Sequence, residues 1–215
     1  GWDRWFSTSF ARGAPFYGYE VNDDGRPRRN FGNPLYTFET GIDPKRCDVK
    51  TLTSQRFAWG CRHLTDTMTR AAVREIRRNV GKPLFMQIDY QAPHGDIRLP
   101  VGSMPASRHL GSTNRTPLPK PANYNEADMS DKSQIIQDAA PSRLNYEQNQ
   151  QLKLNYQTYI ASLRAVDDGV GAIIRTLRNA GELDNTYFFI LSDHGYFIGE
   201  HRFSSAKFLP YEPSA

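Results

Sequence analysis

An apolar run that breaks off into four polar or flexible residues constrains this chain more than any other stretch of its sequence. The run covers 187–191, and it is followed by Ser-Asp-His-Gly at 192–195. A short run of aromatic and β-branched residues is typical of a buried strand. Ligands of α/β folds bind just beyond the carboxyl ends of the strands. We therefore expect Asp193 and His194 to lie at a functional site, although a polar turn with Gly195 at positive φ explains the same residues.

A second apolar run also ends in a histidine. Residues 84–90 read Leu-Phe-Met-Gln-Ile-Asp-Tyr, and the turn Gln-Ala-Pro-His-Gly follows at 91–95. A lone loop histidine is usually without function. His94, however, follows a second predicted strand, at the end of the strand where ligands of α/β sheets bind. We therefore include His94 among the candidate site residues.

Helical patterns alternate with these two runs. Apolar residues recur at three- and four-residue steps over 62–80 and over 145–179. Gly81 and Gly181 follow these patterns as helix-ending residues. Helices and strands in this order predict the α/β class, with an α/β/α sandwich around a mostly parallel central sheet.

Two further stretches are predicted from turn chemistry and from the lack of a period. Asp-Gly at 24–25, between extended runs, predicts a β-hairpin, and we interpret Asp23 and Asp24 as turn residues rather than metal ligands.

Residues 95–143 are rich in Pro, Asn, Ser and Gly and show no sustained period. We interpret them as a long loop that borders a substrate cleft within a domain spanning 1–215.

Composition excludes several classes of function. The 215 residues are 38% hydrophobic and 23% charged, which suits about one globular domain, and no apolar run reaches the roughly 18 residues of a membrane-spanning helix. The net charge of +4 is spread along the chain; it therefore favours an anionic substrate and not a nucleic acid. Cys47 and Cys61 lack a C-x-x-C spacing and could be paired or reduced.

Taken together, the motifs resemble the sulfatases of the alkaline-phosphatase superfamily. The matching pieces follow one another in family order: the hairpin at 16–25, His-Leu-Thr-Asp at 63–66, the Ala-Pro-His turn at 92–94, the helix through Asp-Asp-Gly at 167–169, the Ser-Asp-His-Gly strand end, Gly-Glu-His-Arg at 199–202, Lys207 and Tyr-Glu at 211–212. The resemblance implies an incomplete alkaline-phosphatase-like sandwich and the hydrolysis of sulfate monoesters.

The resemblance also implies roles for individual residues. Asp193 and His194 would bind a divalent cation, usually Ca²⁺, although an imidazole is a less typical ligand of that ion than a carboxylate. His94 would contact the sulfate ester as a hydrogen-bond donor or general acid. Lys207 would hold a sulfate oxygen. Such fixed cations stabilise the charge that moves onto the oxygens during ester cleavage.

The nucleophile of the family is not found in this sequence. Sulfatases carry a Cys- or Ser-x-Pro-Ser-Arg motif, whose first residue becomes formylglycine, and an early pair of metal-binding acids. Pro-Ser-Arg at 141–143 follows Ala139 rather than Cys or Ser, and we interpret it as coincidental. Asp167 and Asp168 point about 100° apart on a helix, and we interpret them as structural. We expect a middle piece of a sulfatase, with the formylglycine upstream of Gly1 and no turnover by this chain alone.

Two other functions stay open at this point. One is a phosphatase or phosphonate monoester hydrolase of the same superfamily, and the other is a non-catalytic module that binds glycans or anions. For a sulfatase, the expected substrate is a sulfated small molecule or glycan, selected by loops such as 95–143. We expect no nucleic-acid or membrane partner. Oligomeric state and localisation are left open, and the resemblance is compatible with export or with a lysosome.

Overall fold

The chain forms two compact units in the computed structural model. Described residues are 1–8, 16–17, 19–26, 29–31, 62–96, 102–204, 207, 209, 211 and 213. Unit 1 comprises Gly1–Thr113 and Thr158–Thr186, and unit 2 comprises Asn114–Gln157 and Tyr187–Ala215. The question of Cys47 and Cys61 lies outside the described residues. No helix in the described part of the chain is long and apolar enough to cross a membrane.

A small antiparallel sheet forms the amino-terminal part of unit 1. Its strands lie in the order β1 (Phe6–Thr8), β2 (Tyr19–Asp23) and β3 (Arg29–Phe31). Asp24 and Gly25, in the turn that follows β2, have φ angles of 60° and 72°, the pair of positive angles typical of an Asp-Gly turn in a hairpin. The predicted hairpin is thus confirmed. Arg4 forms ion pairs with both Asp23 and Asp24, so these two acids serve the turn.

Three α-helices occur among the described residues: α1 (Leu64–Arg78), α2 (Gln134–Ala139) and α3 (Tyr146–Asn179). The helices predicted over 62–80 and 145–179 are confirmed by α1 and α3. Gly81 and Gly181 follow their ends with φ angles of 74° and 73°. These are left-handed conformations that glycine adopts without the strain other residues incur.

An apolar cluster joins α1 to α3 in unit 1. Its buried members are Ala72, Ile76, Ile173 and Leu177. Fully burying an aliphatic side chain as large as Ile or Leu contributes about 1.5–3 kcal/mol. One turn before Ile173, Gly169 lets α3 approach α1 closely, since a Cβ there would lie 2.5 Å from Thr69 Oγ1.

Neither of the strands predicted over 84–90 and 186–191 is a strand in the structure. Phe85, Tyr187 and Leu191 are 78%, 91% and 90% exposed, whereas the prediction placed these runs in a buried sheet. A strand of a parallel sheet is buried by hydrogen-bonded neighbours and by helices on both faces. No such neighbouring strand occurs among the described residues, whose strands form the antiparallel sheet alone.

The stretch 95–143 contains short elements that a search for periodicity cannot detect. A 3₁₀ turn covers Ser107–His109, and α2 has six residues. Met104, Ala106 and Ile136 are buried, so parts of this stretch belong to the cores of the two units.

Candidate active site

Asp193 and His194 lie side by side directly after the exposed apolar run of unit 2. His194 Nε2 is 3.4 Å from Asp193 Oδ2, and the Asp193 side chain is 86% exposed. His194 Nδ1 is 2.8 Å from the carbonyl oxygen of Gly195. Because a carbonyl only accepts, Nδ1 carries the proton in this contact. Nε2 is therefore the ring nitrogen that faces the carboxylate.

This pair fits a divalent cation. A neutral ring protonated at Nδ1 presents a lone pair at Nε2, so Nε2 and the Asp193 oxygen are two acceptors 3.4 Å apart. Two such acceptors favour a cation, or a proton, between them. In the described part of the chain, no group of three or more His, Cys, Asp and Glu side chains could hold a metal ion. Among the described residues, Asp193 and His194 are thus two candidate ligands and do not form a complete shell.

His94 lies in unit 1, in the tight turn that the sequence predicts. Its backbone N–H donates to Gln91 O at 2.8 Å, and the Ala92–Pro93 peptide bond is cis. The side chain is exposed, and its Nδ1 lies 2.7 Å from Gly95 O. This is the contact that His194 makes with its own following glycine. Both histidines therefore carry the proton on Nδ1, which leaves Nε2 available to a ligand.

The structure assigns the four predicted site residues to the two units. His94 belongs to unit 1, whereas Asp193, His194 and Lys207 belong to unit 2. Asp193 and His194 are in direct contact. Lys207 is half-buried and follows the sharp turn 199–203 along the chain.

That turn has an unusual backbone. Gly199, His201 and Arg202 have φ angles of 114°, 49° and 71°. A non-glycine residue in the left-handed region costs about 1–2 kcal/mol, and such residues persist only where their surroundings hold them. The backbone N–H of His201 donates to Asn123 O at 2.8 Å, and that of Asn125 donates to Gly199 O at 2.8 Å. The segment around 123–126 thus holds the turn from one side.

Glu126 holds the same turn through its side chain. Its Oε2 lies 2.7 Å from Nδ1 of His201, which is 6% exposed, and its Oε1 accepts from Lys132 Nζ at 3.1 Å. Desolvation by burial raises the pKa of the Glu126 carboxyl. Hydrogen bonds from His201 and Lys132 outweigh it and hold that pKa below its ordinary value. Sequence reasoning missed this pair because 75 positions separate the two residues. Nothing in the composition of the segment interpreted as a loop singled out Glu126.

Asp168, interpreted from the sequence as structural, is engaged in ion pairs in unit 1. Arg108 Nε and His109 Nε2 each lie 2.7 Å from its Oδ2. Arg108 also makes two bonds of 2.9 Å to the carboxylate of Asp66. Burial raises the pKa of Asp168, but hydrogen bonds from Arg108 and His109 outweigh it, so that the pKa lies below its ordinary value. Arg108 therefore ties the 3₁₀ turn to α1 and α3, and these contacts account for the Asp168 carboxylate.

Comparison with known proteins identifies the family. The sequence model of the Sulfatase family matches residues 6–214, which is nearly the whole chain and includes all four predicted site residues. The chain belongs to the sulfatase family.

Individual relatives agree with this assignment. The chain is 34% identical over 167 residues to an arylsulfatase of Volvox carteri, a match covering 69% of this chain and 25% of that protein. It is 27% identical over 205 residues to the N-acetylglucosamine-6-O-sulfatase of Bacteroides thetaiotaomicron, covering 68% of this chain and 36% of that protein. The chain thus spans about a quarter to a third of the length of these curated relatives.

A solved structure has a similar fold. The structure of BT4656 in complex with its substrate D-glucosamine-2-N,6-O-disulfate aligns with a TM-score of 0.60 and 21% identity. The alignment covers 99% of this chain and 47% of that one. At this level of identity the likeness concerns the fold alone, and it agrees with the alkaline-phosphatase-like class expected from the sequence.

Proposed function

We propose that the full-length protein containing this chain is a metal-dependent sulfatase that hydrolyses sulfate monoesters. The observation that carries the proposal is the pair Asp193 and His194, two acceptors 3.4 Å apart, within a chain matched by the sulfatase family over 6–214. Sulfated glycans are the favoured substrate class, because one relative is named an N-acetylglucosamine-6-O-sulfatase and BT4656 was solved with D-glucosamine-2-N,6-O-disulfate.

In this proposal Asp193 and His194 bind a divalent cation, Ca²⁺ being favoured by the carboxylate. When bound, the cation would polarise the sulfate oxygens and stabilise their negative charge. A formylglycine in the rest of the protein would supply the nucleophile. The proton that His194 shares with Gly195 keeps its Nε2 directed at the Asp193 carboxylate, so the ring is oriented before the cation arrives.

His94 and Lys207 act on the ester itself in this proposal. His94 Nδ1 is held by Gly95 O at 2.7 Å, so Nε2 is the atom that would contact the ester and, when protonated, donate to the leaving oxygen. Lys207 would place its ammonium group against a sulfate oxygen and stabilise the charge that develops there.

We further propose that residues 1–215 form part of one catalytic domain, with 95–143 bordering the substrate cleft and with 84–90 and 187–191 as strands of a parallel sheet. The family match crosses both units, and the exposed apolar side chains of 187–191 suit burial in such a sheet. Hydrogen exchange measures this directly. Amides 187–191 should exchange slowly in the full-length protein, and fast exchange there would contradict the proposed sheet.

Release of inorganic sulfate and phosphate by the full-length protein tests the function. An aryl sulfate, the matching aryl phosphate and 6-O-sulfated glucosamine are supplied in parallel with Ca²⁺ present. We expect sulfate release from the sulfated compounds and little phosphate release. Phosphate release alone would indicate the sibling phosphatase, and saturable glycan binding without any hydrolysis would indicate a binding module. The 215-residue chain by itself should be inactive.

A further inference from the structure

The ring of His201 is fixed from three sides within unit 2. Its Nδ1 lies 2.7 Å from Glu126 Oε2, and its Nε2 lies 3.3 Å from Asn123 Nδ2. The ring of Tyr211 lies against it, with centroids 4.5 Å apart. A ring protonated at Nδ1 satisfies both polar contacts, since Nδ1 then donates to the carboxylate and Nε2 accepts from the amide. Orientation and tautomer of His201 are thereby both set by its neighbours.

His201 and Tyr211 flank Lys207 along the chain. The contact between their rings brings together the two ends of the segment that carries Lys207. Tyr211 is supported by Phe197, whose ring centroid lies 6.2 Å away in an edge-on arrangement. Phe197 is fully buried and also packs on Phe203. The base of the Lys207 segment is therefore anchored in the core of unit 2.

Glu126 is the group that connects this base to the rest of unit 2. Both of its carboxylate oxygens are engaged, Oε2 by His201 and Oε1 by Lys132. Its backbone carbonyl accepts from Arg202 Nε at 2.7 Å. Side chain and backbone of one residue thus hold the two consecutive residues with positive φ. A strained pair held in this way is typical of positions where geometry serves function.

We propose that Glu126, acting through His201, positions Lys207 for the sulfate ester. The inference rests on the proposed function. A displacement of a catalytic group by about 1 Å can lower the rate about 100-fold, so the anchor at the base of its segment bears on how well Lys207 is placed. Glu126 is a positioning residue here, because it contacts His201 and has no contact with the ester in this scheme.

The test is a double-mutant cycle in the full-length protein, read as kcat/KM for an aryl sulfate. Glu126→Ala should lower kcat/KM about 10- to 100-fold. In a Lys207→Met background the same change should cost less than about threefold, because the residue it positions is gone. If Glu126→Ala acted through general folding instead, it would lower kcat/KM by the same factor in the Lys207→Met background as in the wild type.

Two companion variants sharpen the test. Asp131→Ala is the matched control, since Asp131 is an exposed acid bonded to the same Lys132 at 2.6 Å but makes no contact with His201 among those the structure describes; kcat/KM should be unchanged. Glu126→Gln keeps an acceptor for His201 Nδ1 and should recover most of the activity. If Glu126→Ala does not fold, His201→Gln enters the cycle in its place.

The outcomes separate this inference from the proposed function. Non-additive effects with recovery by Glu126→Gln support the positioning role. Additive effects in an active enzyme, or full activity of Glu126→Ala, overturn the positioning role and leave the proposed function intact. A wild-type protein that releases no sulfate overturns the proposed function and the positioning role together.

Discussion

Thr69 Oγ1 lies 2.8 Å from the hydroxyl of Tyr90, and both groups face Gly169 of α3. Thr69 belongs to α1, and Tyr90 is the last residue before the turn that carries His94. α1, α3 and the segment that leads to the His94 turn thus meet at the contact between Thr69 and Tyr90, next to Gly169. The position of the His94 turn depends on how closely α3 approaches here.

Gly169→Ala should therefore destabilise the protein. The new Cβ would lie 2.5 Å from Thr69 Oγ1 and 2.9 Å from the Tyr90 hydroxyl, and overpacking of this kind costs about 1–3 kcal/mol. The measurement is the free energy of unfolding in urea. Gly171→Ala on the same helix is the control, because its nearest neighbour is the flexible end of Arg175 at 3.1 Å. The control should be neutral or up to about 1 kcal/mol more stable, and equal stability of the two variants would contradict the account.

Gly199→Ala should disrupt the turn that precedes Lys207. Its Cβ would overlap Cε2 of Tyr124, and Gly199 has a φ angle of 114°. Strain and overpacking each cost about 1–3 kcal/mol. Gly199→Ala should therefore lose more folding stability than Gly181→Ala. Gly181 has a φ angle of 73° but no atom within 4 Å of its Cβ position. Thermal unfolding of both variants decides the matter, and a Gly199→Ala variant as stable as Gly181→Ala would refute the described packing.

His63 should make the stability of the protein depend on pH. Its Nε2 lies 3.0 Å from Met104 O, and its ring stacks on Phe16 with centroids 5.1 Å apart. Burial lowers the pKa of His63 from 6.5 to about 4. Between these values the unfolded chain binds a proton that the folded protein does not, so stability falls as the pH drops from 6.5 towards 4.

Protonation of His63 lowers the free energy of unfolding by about 3 kcal/mol in total as the pH drops from 6.5 to 4, at about 1.4 kcal/mol per pKa unit. Above pH 6.5 its contribution to the slope vanishes, and below pH 4 the folded protein also takes up the proton. Urea unfolding at a series of pH values measures the slope. His63→Gln keeps a donor for Met104 O but does not titrate, so its stability should vary less across this window. Identical slopes for the two proteins would rule out His63 as the source.

Local patterns in the sequence predicted the elements that local interactions determine. The apolar period gave α1 and α3 to within two residues, and Asp24-Gly25 gave the hairpin. The turn at His94 follows from Pro93 and Gly95 in the same way. Each of these features depends on residues within a few positions of one another, which a single sequence displays.

Features that depend on distant residues could not be predicted in this way. Glu126 and His201 are 75 positions apart, and Arg108 and Asp168 are 60 apart; nothing in the composition of either segment pairs them. The apolar run 187–191 has the composition of a strand, but a strand also needs neighbours to pair with. Among the described residues no strand pairs with this run, and its side chains are exposed.

Sulfate release by the full-length protein and its Asp193→Ala variant, in the presence of Ca²⁺, tests the central claim most directly. Loss of a metal ligand should lower kcat/KM by at least about 100-fold, and chelation of the wild-type protein should have a similar effect. Asp184→Ala serves as the matched control, because Asp184 is an exposed acid in the 3₁₀ turn Leu183–Asn185. We expect Asp193→Ala to be inactive and Asp184→Ala to be unaffected. Equal rates for wild type and Asp193→Ala would contradict it.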